Sequence, residues 1–257
     1  MALVPPDPAA HAIPETEQDN ICLPEHCYQA FDALYCSLTD AEPVPPLFAD
    51  DKYPLFVTWN TRSSRPGRAP RLRGCIGNFE AMPIRDGIAQ YALISAFRDH
   101  RFRKIEDDEL ESLECAISLL TDFEDADSYL DWSIGTHGIS ISFPHPSTLP
   151  VSTSSSSSPS PLSSAASLLS TASPYKPAFS ATYLPEIAPE QGWDKIETVD
   201  SAIRKAGWSG RITEDLRRSV RVRRYQSRKC TRSWEEYVEW RKGRGGRMVG
   251  EGEEVDV

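Results

Sequence analysis

Along Arg71-Leu72-Arg73-Gly74-Cys75-Ile76-Gly77, polar and apolar side chains alternate. Such alternation is typical of a β-strand with one buried face. It predicts that the two arginines and the cysteine share one face, and that the leucine and the isoleucine point to the core on the other. A second strand at 55–60 and the Pro/Gly-containing loop at 61–70 predict a hairpin here.

The cysteine of this strand is a candidate catalytic residue, because two guanidinium groups are expected beside it. Positive neighbours stabilise the thiolate, which prepares a cysteine for nucleophilic or redox chemistry. Flanking glycines leave the backbone accessible to a ligand or allow a bulge in the strand. We therefore regard Cys75 as the candidate nucleophile, and Arg71, Arg73, Gly74 and Gly77 as candidate ligand-binding residues. The alternative is a structural cysteine whose neighbouring arginines pair with acidic surface groups.

Elements of both kinds are predicted on either side of the hairpin. Apolar residues at helical spacing, together with proline, glycine and capping signals, predict helices that start at Pro24, at 82–98, at 107–113, at 193–206 and from Ser233 onward. Alternating patterns predict further strands at 114–121, 138–143 and 220–226.

The composition divides the chain into folded and disordered parts. Residues 1–19 carry four prolines and few large apolar groups, which predicts a disordered start before a folded region at 20–242. Between Phe143 and Phe179 there are 13 serines with repeated prolines, which predicts a disordered insertion at 147–178. Its Ser-Pro steps are candidate phosphorylation sites, although an idle linker explains the composition better. Residues 243–257 are expected to form a disordered tail.

Length, composition and charge exclude several classes of protein. With 257 residues, 39% of them hydrophobic, the chain can form a real core and is neither wholly disordered nor collagen-like. It has no apolar run of the roughly 18 residues that a membrane span needs. Six scattered cysteines in a chain of this length predict reduced thiols and an intracellular protein.

The charge is distributed unevenly along the chain. The net charge is −10, whereas residues 203–247 carry 15 Lys/Arg against five Asp/Glu. A basic segment of this kind can bind nucleic acid, but the acidic remainder can neutralise it within the fold or across a partner interface. Because no platform of interleaved aromatic residues is present, we do not expect nucleic-acid binding.

Histidines supply two further hypotheses. His137 is a candidate general base for the thiol. If the strand at 139–143 extends backward, His137 points to the core like Ile139, unless the glycines beside it break the alternation. Cys22, His26 and Cys27 have a spacing that could bind zinc, but a fourth ligand is missing nearby and core packing explains them better. We therefore predict no metal site and no cofactor.

Several longer motifs, taken in order, resemble one known family. They include Leu72 to Gly77, Phe123-Glu124-Asp125, Asp131-Trp132, Gly135 to Ile139, Ala181-Thr182-Tyr183-Leu184-Pro185-Glu186, Glu190-Gln191-Gly192-Trp193-Asp194 and Arg224-Tyr225. Across about 20–146 and 179–242 the chain resembles the AMME chromosomal region protein family and looks like a fungal or other eukaryotic member.

The resemblance implies an α+β fold of two subdomains, with mostly antiparallel sheets flanked by helices and the cysteine motif near their cleft. It implies no established activity. Prokaryotic relatives are often encoded beside a Memo-like protein and a radical-SAM protein, which suggests a Memo-like partner. Asn78 and Glu186 join the candidate ligand-binding residues. Asn78 stands where relatives usually have threonine, and the Ser-rich insertion stands where they have a short turn.

Two functions remain open at this point. The first is a regulatory or binding protein of the cytoplasm, the nucleus or both, which recognises a protein or a small anionic ligand near the cysteine motif. The second is a thiol-dependent enzyme or redox protein that uses Cys75 with His137. Replacing Cys75 by Ser should abolish only the second, whereas reversing Arg71 or Arg73 should abolish binding in the first.

Overall fold

The computed structural model describes residues 21–63, 65, 67–145 and 179–249. The predicted disordered start, the insertion at 147–178 and the end of the predicted tail lie outside these residues. The helices are α1 (Pro24–Thr39), α2 (Ile84–Phe97), a 3-10 helix (Asp107–Ser112), α3 (Ile187–Gln191), α4 (Lys195–Lys205), α5 (Glu214–Ser219) and α6 (Trp234–Gly243). The strands are β1 (Lys52–Thr61), β2 (Arg71–Pro83), β3 (Leu113–Asp125), β4 (Gly138–Phe143), β5 (Phe179–Tyr183) and β6 (Arg221–Ser233).

The strands form a six-stranded sheet in the order β2-β1-β3-β6-β4-β5. Strand β1 is antiparallel to both β2 and β3, and β4 is antiparallel to both β5 and β6. The α+β prediction is therefore confirmed. The chain divides into two compact units, unit 1 with residues 1–121 and 227–257 and unit 2 with residues 122–226. Strands β3 and β6 contribute residues to both.

Unit 1 has its own hydrophobic core on one face of β1 and β3. Leu55, Val57 and Trp59 point from β1 into this core and are fully buried. The Trp59 indole N–H donates a hydrogen bond to the Ala92 carbonyl of α2, at 3.0 Å, so the one polar atom of this ring is satisfied. Helix α1 adds the buried Phe31, whose ring lies edge-on to Trp59 at 5.0 Å.

Unit 2 has a second, separate core. Ile139, Ile141 and Phe143 alternate along β4 and are buried with Val222 of β6. Val199, Ala202 and Ile203 of α4 belong to the same core. The residues between them on β4 and β6 lie on the opposite, polar face of the sheet.

The local signals read from the sequence explain where several elements begin and end. Pro24 starts α1 at a position where its missing N–H costs nothing. Ser233 accepts a hydrogen bond from the Glu236 N–H and Glu236 accepts one from the Ser233 N–H, which is the predicted capping box. Gly207, two residues after α4, has a φ of +102°.

Part of the predicted disordered tail packs against α1. Arg241 of α6 and Asp32 of α1 form a buried ion pair, and the Tyr237 hydroxyl donates to the same carboxylate at 3.0 Å. The Arg241 Nε donates to the carbonyl of Arg247 at 3.1 Å. The ion pair with Asp32 leaves N–H donors of the buried Arg241 guanidinium over, and backbone carbonyls such as that of Arg247 accept hydrogen bonds from them. Residues 244–249 therefore differ from the disordered tail that the sequence predicts.

Candidate functional site

The cysteine motif lies on β2, which is an edge strand of the sheet. Cys75 pairs with Thr58 and Gly74 with Trp59, but the next pair is Leu72 with Asn60, so Arg73 is an extra residue in the strand. This bulge interrupts the alternation that the sequence predicts. Leu72 is 37% exposed and Arg73 only 7%. The expected face assignment of these two residues is therefore wrong.

Arg73 is bound on all sides by its own unit. Its Nε and Nη2 donate to the two carboxylate oxygens of Glu109, at 2.7 and 2.8 Å. Its Nη1 and Nη2 donate to the backbone carbonyls of Arg103 and Lys104, at 2.6 and 2.9 Å. The guanidinium holds the pKa of Glu109 below its usual range. Arg73 thus fixes the segment after α2 to the edge strand, and its charge is already balanced.

Cys75 is half-buried, and its side chain and backbone have different neighbours. The Thr58 hydroxyl donates to the Cys75 Sγ at 3.1 Å. The Cys75 N–H donates to Asp99 Oδ2 at 3.0 Å, and Arg101 Nη2 donates to the Cys75 carbonyl at 3.2 Å. Asp99 and Arg101 are themselves paired at 2.7 Å, and this hydrogen bond holds the Asp99 pKa well below its usual range. Together they satisfy the backbone at the sheet edge, where another strand could otherwise add.

The two glycines of the motif allow close packing. A Cβ on Gly74 would lie 2.3 Å from the Ser95 carbonyl of α2, and one on Gly77 would lie 2.3 Å from the Leu55 carbonyl. Packing alone therefore requires glycine at both positions. Asn78 accepts a hydrogen bond from the Glu80 N–H at 3.1 Å, so its amide oxygen shapes the strand locally. Their roles as ligand-binding residues stay predictions.

Arg71 differs from Arg73 because it is exposed to solvent. It lies at a cavity of about 380 Å³ that is also lined by Leu72, Arg73, Phe102, Arg103 and Glu109. Within the described part of the chain, the side chains of Arg71 and Arg103 make no hydrogen bond or salt bridge. An anion that enters this cavity would meet two arginines whose donors are available.

His137 lies in unit 2, in the turn that precedes β4. Its Nδ1 accepts a hydrogen bond from the Ser133 backbone N–H at 2.9 Å, and the backbone N–H of His137 donates to the Ser133 carbonyl, also at 2.9 Å. Partial burial, with the charge of Arg224, lowers the pKa of His137. His137 thus closes a turn that contains Gly135, whose φ is +80°, and it does not continue the alternation of β4. Its role as a base for Cys75 stays a prediction.

Glu186 also lies in unit 2, directly before α3. Its charge raises the pKa of Tyr225, although burial of the phenol has the larger effect. The Tyr225 hydroxyl donates to the Tyr183 carbonyl at 2.9 Å. The structure therefore places Arg71, Arg73, Gly74, Cys75, Gly77 and Asn78 together in unit 1, and His137 and Glu186 in unit 2.

Four residues around the motif were missed by sequence reasoning: Thr58, Asp99, Arg101 and Glu109. Thr58 could have been found from the predicted hairpin, since its strand was assigned and only the register was missing. Asp99 and Arg101 lie in the charged segment between the helices predicted at 82–98 and 107–113. Nothing in the sequence indicates that these side chains bind the backbone of a strand more than 20 residues away.

The cysteines near the start of α1 each have a hydrogen-bond partner of their own. Cys22 donates to the Ile117 carbonyl and Cys27 to the Cys230 carbonyl, at 3.4 and 3.3 Å. His26 Nδ1 accepts from the Leu23 N–H at 3.2 Å. Among the described residues, no three His, Cys, Asp or Glu side chains are grouped so that they could hold a metal ion. Nor does this part of the chain contain a helix long and apolar enough to cross a membrane.

The fold and the site define an α+β protein with a half-buried cysteine on an edge strand that a carboxylate and a guanidinium close off. The chain belongs to the AMMECR1 family, whose sequence profile matches residues 25–230. The resemblance drawn from the motifs is thereby confirmed. An uncharacterised protein of Arabidopsis thaliana is 41% identical over 222 residues, which cover 86% of this chain and 90% of that protein.

Other relatives support the same assignment. An uncharacterised protein of Schizosaccharomyces pombe is 36% identical over 219 residues, with 83% of this chain and 94% of the relative covered. The crystal structure of an uncharacterised protein from Pyrococcus horikoshii matches with a TM-score of 0.56 and 21% identity, over 80% of this chain and 89% of that one. At this identity the match shows the fold alone.

Proposed function

We propose that this protein is a regulatory binding protein that recognises an anionic group through Arg71 and Arg103 of unit 1. The observation that supports this function is the cavity beside the cysteine motif, where these two exposed arginines accompany Leu72 and Phe102. Guanidinium groups suit carboxylates, and the apolar neighbours suit the side chains that flank them. An acidic segment of a protein partner fits this combination best.

Arg73, in contrast to the expectation from the sequence, is not part of the proposed recognition surface. Its donors are used by Glu109 and by two carbonyls, so a ligand could reach it only by displacing them. A charge reversal at Arg73 would therefore test folding rather than binding. This is why Arg71 and Arg103 carry the proposal.

The experiment titrates a short polyglutamate peptide into the protein and follows the backbone amides by NMR, with inorganic phosphate as a second arm. Shifts at Arg71, Leu72 and the segment around Arg103 are expected, with binding about tenfold weaker in Arg71→Glu. Arg247→Glu, an equal charge change at an exposed residue of the same unit, should bind normally. Equal binding by both variants overturns the proposal, and binding of phosphate but not of the peptide replaces the protein partner by a small anion.

The second candidate function, a thiol-dependent enzyme, is favoured by one observation. Arg101 lies at the Cys75 carbonyl and Thr58 at its sulfur, so the thiol is half-buried beside a cation. This is the environment of reactive cysteines. Cys75→Ser should leave peptide binding intact under the first function. Loss of a cellular phenotype in Cys75→Ser while peptide binding persists would favour the enzyme.

A Memo-like partner and a location in the cytoplasm, the nucleus or both belong to the proposal of a regulatory binding protein.

A further inference from the structure

The polar face of the unit 2 sheet is laid out in regular rows. Ser140 of β4 lies between Thr182 of β5 and Arg223 of β6, and Ser142 lies between Ser180 and Arg221. Directly paired residues on one face have Cβ atoms about 4.5–5.5 Å apart. Each arginine therefore has serine hydroxyls beside it. We call Ser140, Ser142, Arg221 and Arg223 the serine–arginine face.

A groove of about 1130 Å³ runs over the serine–arginine face. One wall is formed by Asp125, at the end of β3, and by the loop at 126–130, which includes Asp127. Glu214 and Arg218 of α5 also line the groove. The Tyr129 hydroxyl donates to Glu214 at 2.9 Å, which fixes this loop to α5. The groove thus has a hydroxyl- and guanidinium-lined floor and an acidic wall.

The guanidinium groups of Arg221 and Arg223, on the floor of the groove, have N–H donors available to a ligand. Within the described residues, Arg221 and the Ser142 hydroxyl have no hydrogen-bond or ion-pair partner. Arg223 has only a 4.0 Å contact to the exposed Asp125, and its guanidinium lies 5.1 Å from the Phe123 ring centroid. Stacking on a ring orients a guanidinium and leaves its edge donors available. Two such groups next to hydroxyls match the tetrahedral oxygens of a phosphate monoester.

We propose that this groove binds a phosphoserine-containing segment of a partner protein, with the phosphate between Arg221 and Arg223. A groove larger than an ordinary small-molecule pocket, floored by an open sheet, suits an extended peptide better than a compact ligand. Charge complementarity with Asp125 and Asp127 requires basic residues beside the phosphoserine. The proposal concerns unit 2 and is independent of the Arg71 surface in unit 1.

The test uses a short synthetic peptide with one phosphoserine between lysines, together with its unphosphorylated counterpart, and follows the amide resonances of the full chain. Saturable shifts at β4 and at the start of β6 are expected, with binding about tenfold weaker without the phosphate. Arg221→Glu should weaken binding about as much. Arg211→Glu is the matched control, because this exposed arginine of the same unit carries an equal charge and its side chain has no partner among the described residues.

A second variant separates loss of binding from loss of folding. Ser142→Asp places a carboxylate beside Arg221, where it occupies the guanidinium and repels the phosphate, so it should also abolish binding while the amide spectrum stays that of a folded protein. Equal binding of both peptides, or equal binding by the Arg221 and Arg211 variants, overturns the proposal. So does competition by inorganic phosphate at the concentration at which the peptide binds, or binding to vesicles that carry phosphoinositides in place of the peptide. Arg71→Glu should leave phosphopeptide binding unchanged, which distinguishes this site from the proposed function.

Discussion

At Gly74 the edge strand β2 packs closely against helix α2. An added Cβ would lie 2.3 Å from the Ser95 carbonyl, and this atom belongs to the backbone of a packed helix. We therefore expect Gly74→Ala to lower the free energy of unfolding by about 1–3 kcal/mol, because helix and strand must separate. Urea denaturation measures the change.

The control for this substitution is Gly243→Ala at the end of α6. No atom lies within 4 Å of the position of its added Cβ, and its φ is not positive. Its free energy of unfolding should change by less than about 1 kcal/mol. A Gly74→Ala protein as stable as this control would show that the helix can shift freely, and the packing argument would fail.

His26 gives the fold a dependence on pH. Burial lowers its pKa from 6.5 to about 4, against the opposing charge of Glu25. Between these values the unfolded chain binds a proton that the folded chain does not. The stability that this group contributes is therefore complete above about pH 6.5 and is lost as the pH falls toward 4. From pH 7 to pH 5 we expect a loss of about 2 kcal/mol.

The measurement compares urea denaturation of the protein and of His26→Gln at the two pH values. The glutamine oxygen can still accept the Leu23 N–H, but it does not titrate. Carboxylates titrate equally in both proteins, so the difference between their pH slopes reports His26 alone. Identical slopes would mean that the imidazole takes up its proton at the same pH in the folded protein as in the unfolded chain.

At the scale of residues, the sequence predicted which element a residue belongs to better than it predicted the side chains that the residue contacts. Cys75 lies on the strand to which the alternating pattern assigns it. The glycines beside Cys75 allow a bulge, but its place at Arg73 was not predictable, because pairing with β1 decides which residue is extra. Its partner Glu109 is 36 residues away, and no local rule connects the two.

At the scale of elements, contacts within the β4–β5 hairpin should make the long connection between its two strands unnecessary for folding. Phe143 and Phe179 are directly paired and their rings stack at 5.0 Å. His145 packs on Phe179 and on Trp208, so both ends of the connection are fixed by aromatic contacts. We expect a variant in which Asn-Gly replaces residues 146–178 to fold, with a free energy of unfolding raised by up to about 2 kcal/mol from the shorter loop.

Thermal and urea denaturation test this shortened protein. Its control keeps the length and composition of residues 146–178 but shuffles their order, and it should match the natural protein. A shortened chain that fails to fold, or a shuffled chain that loses stability, would mean that the segment contributes specific contacts to unit 2.

Two element ends were predictable because a capping residue marks each of them. Ser233 and Glu236 fixed the start of α6, and Gly207 fixed the end of α4, because caps act within a few residues. Strand lengths were less predictable. Strand β3 runs on to Asp125 and β6 to Ser233, beyond their alternating stretches, because neighbouring strands rather than side-chain pattern decide where pairing stops.

At the scale of the whole molecule, long-range pairs that the sequence cannot show connect its ends. Asp32 and Arg241 are 209 residues apart, and both are 1% exposed. A buried charge needs its partner, so this pair requires α1 and α6 to pack in one register. The polar composition of residues 243–257 predicts a tail, yet this guanidinium donates to the Arg247 carbonyl and so holds the backbone there in place.

The six cysteines, spread over the whole chain, differ in how readily their thiols should react. Burial raises the pKa of Cys36 to about 11 and that of Cys22 to about 12, and the pKa of Cys27 is raised well above its usual range. A hydrogen bond with Cys27 and burial raise the pKa of Cys230. Cys115 is fully buried. Because the thiolate is the reactive form, none of these five should react readily at pH 8.

Brief alkylation of the native protein at pH 8, followed by peptide mass spectrometry, should therefore label Cys75 before any other cysteine, and Cys75→Ser should remove the early label. The unfolded protein is the control, since all six thiols should then react alike. The pH dependence of the Cys75 rate next separates the two functions. A midpoint well below the ~8.5 of a free thiol supports the enzyme, because only an activated thiolate reacts there. A midpoint at or above that value supports a binding protein, in which Cys75 only completes the packing of β2. Early labelling of any other cysteine would contradict the burial that sets these pKa values.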